Sequence, residues 1–499
     1  MQGSIKLPDS SSDPEVRQTA VYLLLAILIL TGLVIFTLGA DSDLVIYAFG
    51  GAIALALTAV IFFRPQYGAY ILVITIATNV STIFTRNGLP SINKPVVAIV
   101  AIAILARYLW TRRQAQGALH LGIAEFTLFA WGCVWFLSAV GARDSSAAYL
   151  EVTDFFKNFI IFLCIIYALQ TPQQWKRALW LLILATAVPA ALGVYQVFTG
   201  NYAQDFGGLM VNDLQQVVTG VYEARLSGPI REPNFYGQIL AFVLVLTVYR
   251  MLDEKSWWLK LAATTAAFCL ALATVNTYSR GAFLTMIIML VLIAIERRVR
   301  PSLLISVGLL FALLMLFLPE TYRARIDSIS LLNPSESVQT RIYEDSSFRG
   351  RTSEMLSGLL MFANHPLLGV GIGNYDVNYQ DYASQLGLEY RFGNREAHSL
   401  YIETLAETGT LGILGLLAAF GSVLVLLRGA RHKIAQMPQH AYLQPWFTSV
   451  QYAIISYSVS SVILHGDFMR YLWLLFALAV AATHMTDRFA AAAQLPETR

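Results

Sequence analysis

Charge is scarce in this chain. Acidic and basic residues together make 13% of 499 residues, too few to clothe a water-soluble protein of this length. The scarcity is also nearly balanced. The net charge is +3, and no basic tract gathers the cations, so no nucleic-acid partner is expected. Cysteine is almost absent: Cys133, Cys164 and Cys269 lie inside apolar runs without CxxC or Cys/His spacing, as small core residues do. No second histidine or acidic pair has metal-ligand spacing, and no cofactor is expected. The two-residue alternation of a β-barrel is missing, and there is no internal repeat. Met1 to Arg17, with acids, bases and two prolines, lacks the layout of a cleaved signal and reads as a short disordered tail.

What fills the chain is apolar sequence. Hydrophobic residues are 57%, and runs such as Val21 to Leu38 and Ser302 to Leu318 are long enough to cross a hydrocarbon core about 30 Å thick. Backbone amides in lipid must be satisfied within their segment, so these continuous runs are helices. The expected fold is an all-α polytopic membrane protein with about 12–14 transmembrane helices. Candidate spans cover 20–39, 44–63, 67–84 (interrupted by Asn79), 95–110, 121–141, 153–169, 178–198, 235–252, 257–277, 281–296, 302–318, 400–428, 446–464 and 468–485.

Charge bias orients them. With the N-terminus in the cytoplasm, the inside connections carry Arg112 and Arg113, Lys176 and Arg177, Lys255 and Lys260, Arg297 and Arg298, and Arg428 to Lys433. Short outside loops are poorer in Lys and Arg, as the positive-inside rule requires. The expected division is a cytoplasmic tail 1–19, helices 20–198, a periplasmic loop 199–234, helices 235–318, a large periplasmic loop 319–399, helices 400–485 and a cytoplasmic tail 486–499. Connections as long as the two periplasmic ones usually carry function. Within the longer one, Thr321 to Leu332 and Ser347 to Ala363 read as short amphipathic helices, the second laying Met355, Leu359, Leu360 and Phe362 against the membrane domain or its surface.

Three motifs fall on that outward side. Arg225-Leu-Ser-Gly-Pro-Ile-Arg231-Glu-Pro-Asn234 is rich in turn formers and reads as a fixed loop, with Asn234 as helix N-cap. Its arginines have the planar forks that grip phosphate oxygens; the plainer role is an interfacial anchor, or pairing with Glu223 or Glu232. Tyr278-Ser279-Arg280-Gly281 joins two spans with almost no loop. An arginine there can snorkel to headgroups, but on the outer side it runs against the charge bias and points to function. Ala397-His398-Ser-Leu-Tyr401-Ile-Glu403 enters the next span, with His398 at its outer end either as a structural hydrogen-bonder, the commoner role of a lone histidine, or as a candidate general base. Gly369-Val-Gly371-Ile-Gly373 is neither a dinucleotide fingerprint nor a P-loop; it reads as a backbone turn that packs closely, with a phosphate nest as the second reading. Tyr375, Tyr379, Tyr382, Tyr390 and Tyr401 offer either sugar-stacking rings or an interfacial belt.

In order along the chain, Arg225-Leu-Ser-Gly with Pro233-Asn234, Ser279-Arg280-Gly281, Gly350-Arg351 leading to His365-Pro-Leu-Leu-Gly-Val-Gly-Ile-Gly-Asn374, Ala397-His398-Ser-Leu-Tyr401 and Glu407-Thr-Gly409 resemble the O-antigen ligase family. Its shared domain also occurs in surface-polysaccharide polymerases. The resemblance implies a GT-C-like glycosyltransferase of the bacterial inner membrane. It would move a glycan from undecaprenyl diphosphate to an acceptor hydroxyl, lipid A core or similar, on the periplasmic face, without metal and with inversion. By motif position Arg225 and Arg280, with Arg231, would hold the diphosphate, and His398 would serve the acceptor. Asn234, Arg351, Tyr401 and Glu403 are supporting candidates. Ser399 stands where many members have asparagine, and the 319–399 segment is long for a ligase.

Two alternatives remain open at this level. A polymerase would use the same site on a second carrier-linked glycan. A flippase or other transporter would instead carry charges and broken helices near the bilayer midplane and show related halves. The orientation is directly testable: in Gly207→Cys and Gly387→Cys the thiol is expected to react with an impermeant reagent from the periplasmic side, whereas Gln174→Cys should stay unlabelled. Labelling at 174 from outside would invert the topology.

Overall fold

A computed structural model describes residues 42–113, 121–218, 221–299, 346–388, 395–464 and 469–494. The expected spans at 20–39 and 302–318, the helix at Thr321 to Leu332, the N-terminal tail, Tyr390 and His465 lie outside these residues.

The described part is dominated by helices. They are α1 (Ser42–Phe63), α2 (Pro65–Ala77), α3 (Val80–Arg86), α4 (Asn93–Arg113), α5 (Ile123–Ala139), α6 (Ser145–Ala168), α7 (Pro172–Thr199), α8 (Pro233–Asp253), α9 (Trp257–Asn276), α10 (Arg280–Glu296), α11 (Ser346–Asn364), α12 (Tyr375–Gln385), α13 (Leu400–Ala435), α14 (Gln444–Ser460) and α15 (Arg470–Gln494). By length and hydropathy α7, α8, α9 and α13 can each cross a membrane, and residues Ile53–Phe63 of α1 with α2, expected as parts of two spans, form a pair bent by 116° that is either one broken span or a re-entrant loop. The bend falls at Arg64, ahead of Pro65, where a proline restricts the preceding backbone and ends the helix. Asn79 interrupts the next span as expected, in a left-handed conformation between α2 and α3. The last helix runs to Gln494, into the segment expected to be a tail, because Ala490 to Ala493 are strong helix formers.

The core has two central helices. On α8 every side chain from Phe235 to Arg250 is buried, and on α15 so is the run Tyr471 to Ala482. Around them, α8 packs with α9, α10 and α14, and α15 with α6 and α13. Large apolar groups such as Leu55, Phe126, Phe136, Phe268 and Val425 face outward, the arrangement that a hydrocarbon solvent favours.

One element departs from the all-helical expectation. Where a loop is expected, β1 (Val211–Val218) and β2 (Val221–Gly228) form an antiparallel hairpin with Asp213 opposite Arg225. It seats on the end of α7 at Gly193, where any side chain would collide with Leu226 and Met210. Those two residues are fully buried there, so the hairpin gains the apolar support that an isolated two-stranded ribbon lacks.

A second feature organises the end of the molecule that carries His398. Helix α13 is broken at Gly409, with φ 63 and ψ −157, and the glycine-rich segment lies along the break. Val370 N donates to Ala406 O (2.9 Å) and Gly371 N to Glu407 O (3.1 Å); Thr410 N donates to Pro366 O (2.8 Å) and Leu411 N to Leu367 O (3.3 Å). The close-packing role expected for Gly369 to Gly373 is met: side chains at 369, 371 and 373 would strike the Glu407 backbone, Ala142 and Glu151.

Helix α11 forms where expected but turns a different face inward. Leu359 is exposed, and the buried stripe is Ser353, Glu354, Ser357, Gly358 and Met361. The reason is close approach at one position: a Cβ at 358 would lie 2.8 Å from Ile402, so only glycine fits there against α13. Gly369→Ala is expected to lower stability by roughly 2–4 kcal/mol, from positive φ plus overpacking. Gly387→Ala has a similar φ of +65 and an open surrounding, and should cost only about 1–2 kcal/mol. Thermal midpoints of the purified protein check this; equal losses would show that the Gly369 approach carries no strain.

Candidate functional site

His398 follows a short segment, Arg395 to Ala397, that leads into α13. Its backbone is left-handed, φ 49, uncommon for a residue other than glycine and characteristic of over-determined positions. The next helix is pinned at once: Leu400 N donates to Ser461 O (3.0 Å) and Leu464 O (2.7 Å). The imidazole is held from the side by α11, with Nε2 3.3 Å from Glu354 Oε2. Glu354 is only 2% exposed and also meets Arg395 Nη1 at 3.5 Å. A proton on Nε2 directed at Glu354 leaves Nδ1 as the basic atom, and the carboxylate stabilises an imidazolium when one forms.

A cavity of about 160 Å³ lies close by: Arg395, which meets Glu354, lines it, while His398 and Glu354 are not among its lining residues. Arg395, Glu396, Leu400 and Glu403, which flank His398 in sequence, line it together with Tyr375, Glu407 and Glu151. Glu407 is buried, and its Oε1 accepts from Tyr375 N at 2.8 Å. The Tyr375 hydroxyl donates to the Glu354 backbone carbonyl. Burial, then the charge of Glu354, pushes the Tyr375 phenol far above its ordinary range, so it stays protonated and is no base.

The arginines form a neighbouring cluster. Arg225 lies on β2, not in a loop, and is 4% exposed. Its Nε donates to Thr277 O (2.8 Å) and its Nη2 to Asn234 Oδ1 (3.1 Å), which fastens the hairpin to the turn carrying Tyr278 and Arg280. Asn234 is not the N-cap. Pro233 occupies the first position of α8, so the cap falls to Glu232, whose Oε2 accepts from Phe235 N at 2.7 Å. Asn234 instead bridges Glu232 (2.9 Å) and Arg225. Tyr278, with φ 52, makes the turn, Ser279 caps α10, and Arg280 is its first residue, half-buried. Arg231 is exposed and left-handed, φ 67. Burial and then the charge of Arg231 press the Arg86 guanidinium below its usual value.

The two clusters share a boundary at the turn after α14. Residues 461 and 464 hold the start of α13, while Gly281 sits so close to Ile463 that any side chain there would collide. They do not share the cavity: Arg225, Arg231 and Arg280 are not among the residues that line it. Of the supporting residues, Glu403 lines the cavity and Arg351 is half-buried on α11. The Tyr401 hydroxyl is bonded to Ser458 on α14, at 2.8 Å to Oγ and 2.9 Å to the carbonyl. Tyr379 and Tyr382 are buried between α11 and α12, which removes them as sugar platforms. Sequence reasoning missed Glu354 and Arg395. The only local signal for Glu354 is its place on the small, polar stripe of α11.

Residues 265–417 match the family model of the O-antigen ligases. The match takes in Tyr278 to Gly281, Gly350-Arg351, the glycine-rich segment and Ala397 to Gly409, and the resemblance carried by those motifs is shown over this range; Arg225 to Asn234 precede it. No curated protein matches the chain. The matched range contains both His398 and Glu354.

Arg225→Ala should free the hairpin from the 277–280 turn and leave the Thr277 carbonyl without this donor, at a cost of roughly 1–3 kcal/mol. Faster amide exchange over 221–228 and a lower thermal midpoint are expected. Unchanged exchange would mean that Arg225 has no structural part.

Proposed function

We propose that this protein is a membrane glycosyltransferase of the O-antigen ligase type, transferring a glycan from undecaprenyl diphosphate to an acceptor hydroxyl on the periplasmic face of the bacterial inner membrane. The observation that carries the reading is the His398–Glu354 pair, linked through Arg395 to a cavity lined by carboxylates, inside the segment that matches the family. A diphosphate is already a good leaving group, so the reaction needs preorganised positive charge more than a general acid. Arg280 stands at the first position of α10, where the helix dipole adds to its own charge, and Arg225 is tied to the same turn. Together, with Arg231 at the exposed edge, they hold the diphosphate.

The acceptor oxygen attacks the anomeric carbon from the face opposite the diphosphate. Its proton passes to His398 Nδ1, the bond from carbon to phosphate oxygen breaks with its electron pair leaving on undecaprenyl diphosphate, and the anomeric configuration inverts. Glu354 stabilises the imidazolium formed in this step. Glu403 and Glu396 line the cavity and accept hydrogen bonds from the acceptor sugar. The cationic role of the arginines makes the reaction independent of divalent metal.

The test is a reconstituted assay scored for released undecaprenyl diphosphate, with a lipid A core or a second carrier-linked glycan as acceptor. His398→Ala is expected to lower turnover by about 10² to 10⁴ while donor binding persists. Glu354→Gln should cost roughly tenfold to a hundredfold, less than loss of the base itself, and nothing further when added to His398→Ala, because the two act as a unit. Arg280→Lys keeps the charge but loses the fork and should also be damaging. EDTA should change nothing. Near wild-type turnover in His398→Ala, or loss in EDTA with rescue by magnesium, would sink the mechanism.

A further inference from the structure

Helix α12 reaches both sides of the His398–Glu354 pair, and it does so from its first two turns. Toward α11, the Tyr375 hydroxyl donates to the Glu354 backbone carbonyl, and one turn on the Tyr379 hydroxyl meets Ser353 Oγ at 2.6 Å. The two rings are buried and stacked, 6.2 Å apart. Toward α13, Asp376 Oδ1 accepts from Arg395 N at 2.6 Å, in the segment that leads to His398. One short helix thus holds the backbone that carries Glu354 and the backbone that carries His398. Its own start is held by Glu407. That buried carboxylate accepts from Tyr375 N at 2.8 Å and from Gly373 N, while the Glu407 carbonyl accepts from Gly371 N (3.1 Å) and Ser138 Oγ (2.7 Å). The N–H groups at 371 and 373, which a phosphate nest would need, are therefore taken up by Glu407. They seat α12 instead of a ligand.

Taking the transferase reading as premise, we propose that Tyr375 and Asp376 are positioning residues: seated by Glu407, they set the distance and angle between the Glu354 carboxylate and the His398 imidazole. The tolerance is small. Nε2 and Oε2 stand 3.3 Å apart, at the long end of nitrogen–oxygen hydrogen bonds, so a shift of a few tenths of an ångström at either backbone takes the pair out of contact. The Tyr375 bond reaches the Glu354 carbonyl and not its carboxylate, which fixes where the side chain starts without competing for its charge. The Asp376 bond does the same for His398, whose left-handed backbone follows directly on the segment that it anchors. Misplacement on the order of 1 Å, even from a change remote from the chemistry, can cost about 10²-fold in rate. Tyr375 and Asp376 act through the pair, and the substrate does not need to touch them.

The experiment joins the reconstituted transfer assay to nitrogen-15 NMR of labelled histidine in the full-length protein, the His398 signal being identified by its loss in His398→Ala. Tyr375→Phe keeps the ring and removes only the bond to Glu354. Its kcat is expected to fall by about threefold to tenfold, the size of one hydrogen bond, with KM for donor and acceptor unchanged. Asp376→Ala should lose a similar factor, and Asp376→Asn, which keeps an acceptor oxygen for Arg395 N, should restore most of it. Tyr375→Phe and Asp376→Ala should both move the His398 signal, and neither should lower the residual turnover of His398→Ala any further. Both residues line the 160 Å³ cavity, so KM separates positioning from direct contact: a raised acceptor KM with kcat unchanged would overturn the proposal. So would unchanged kcat in both variants, failure of Asp376→Asn to restore it, or losses that add to that of His398→Ala. The NMR signal keeps the two readings apart. If it moves in variants of a protein that releases no undecaprenyl diphosphate, the transferase reading fails and the positioning role stands; if it stays fixed while the wild-type protein transfers glycan, the positioning role fails.

Discussion

At Gly409 the backbone of α13 leaves the helical region, and in a chain solvated by hydrocarbon the amides and carbonyls that such a break exposes must find partners within the protein. They find them in the segment from Pro366 to Gly371, which gives and receives four backbone hydrogen bonds across the break. The requirement is strict, because an unpaired peptide group in an apolar surrounding costs several kcal/mol. Its satisfaction fixes the glycine-rich segment on α13, and with it the two helices on either side, α11 and α12. Those helices carry Glu354 and Tyr375 to the place where α13 begins. The chemistry proposed for His398 therefore depends on a hydrogen-bond exchange several residues further along the same helix.

Left-handed backbone recurs at the same end of the molecule, although Arg298 beside the Arg297–Asp253 pair shows it too. Asn79, Arg231, Tyr278 and His398 all have positive φ without being glycine, and each costs about 1–2 kcal/mol relative to an ordinary conformation. Such positions persist only where neighbours over-determine them. Here the neighbours are identifiable. Asn79 donates to Pro229 O and accepts from Arg470, Arg231 N reaches Ser227 O, Tyr278 N reaches Val275 O, and the residues after His398 are held by the turn at 461–464. Turns formed in this way let helices end abruptly and point side chains across the gap between them, which a smooth helical bundle cannot do.

Charge is placed with matching economy. In the cluster at the other end, Arg250 lies buried over the Trp446 ring at 3.5 Å, and Arg297 is bidentate to Asp253 at 2.6 and 2.9 Å. These are closed, self-neutralising arrangements that lock α8 to α10 and α14. Near His398 the pattern differs: carboxylates line a cavity, while Lys94 and Arg470 line a second cavity beside it without carboxylate partners among the described residues. The contrast separates charge used to hold helices together from charge available to a ligand.

The sequence by itself determined the membrane class, the helical character of the described core, the interruption at Asn79, the close packing of Gly369 to Gly373 and the motif set around Arg280 and His398. Each of these is a local property: apolar length, breaker residues and the spacing of side chains along one segment. Only the tertiary structure decided that residues 211–228 form a hairpin, that Glu232 rather than Asn234 caps α8, that α11 turns Glu354 inward, and that Tyr401 is bonded to Ser458. The hairpin depends on Gly193 of another helix, the α11 face on Ile402 and Tyr375, and the His398–Glu354 pair on residues 44 positions apart brought together by a glycine packed against a broken helix. Such contacts arise from the docking of separate segments, and no periodicity within one segment encodes them.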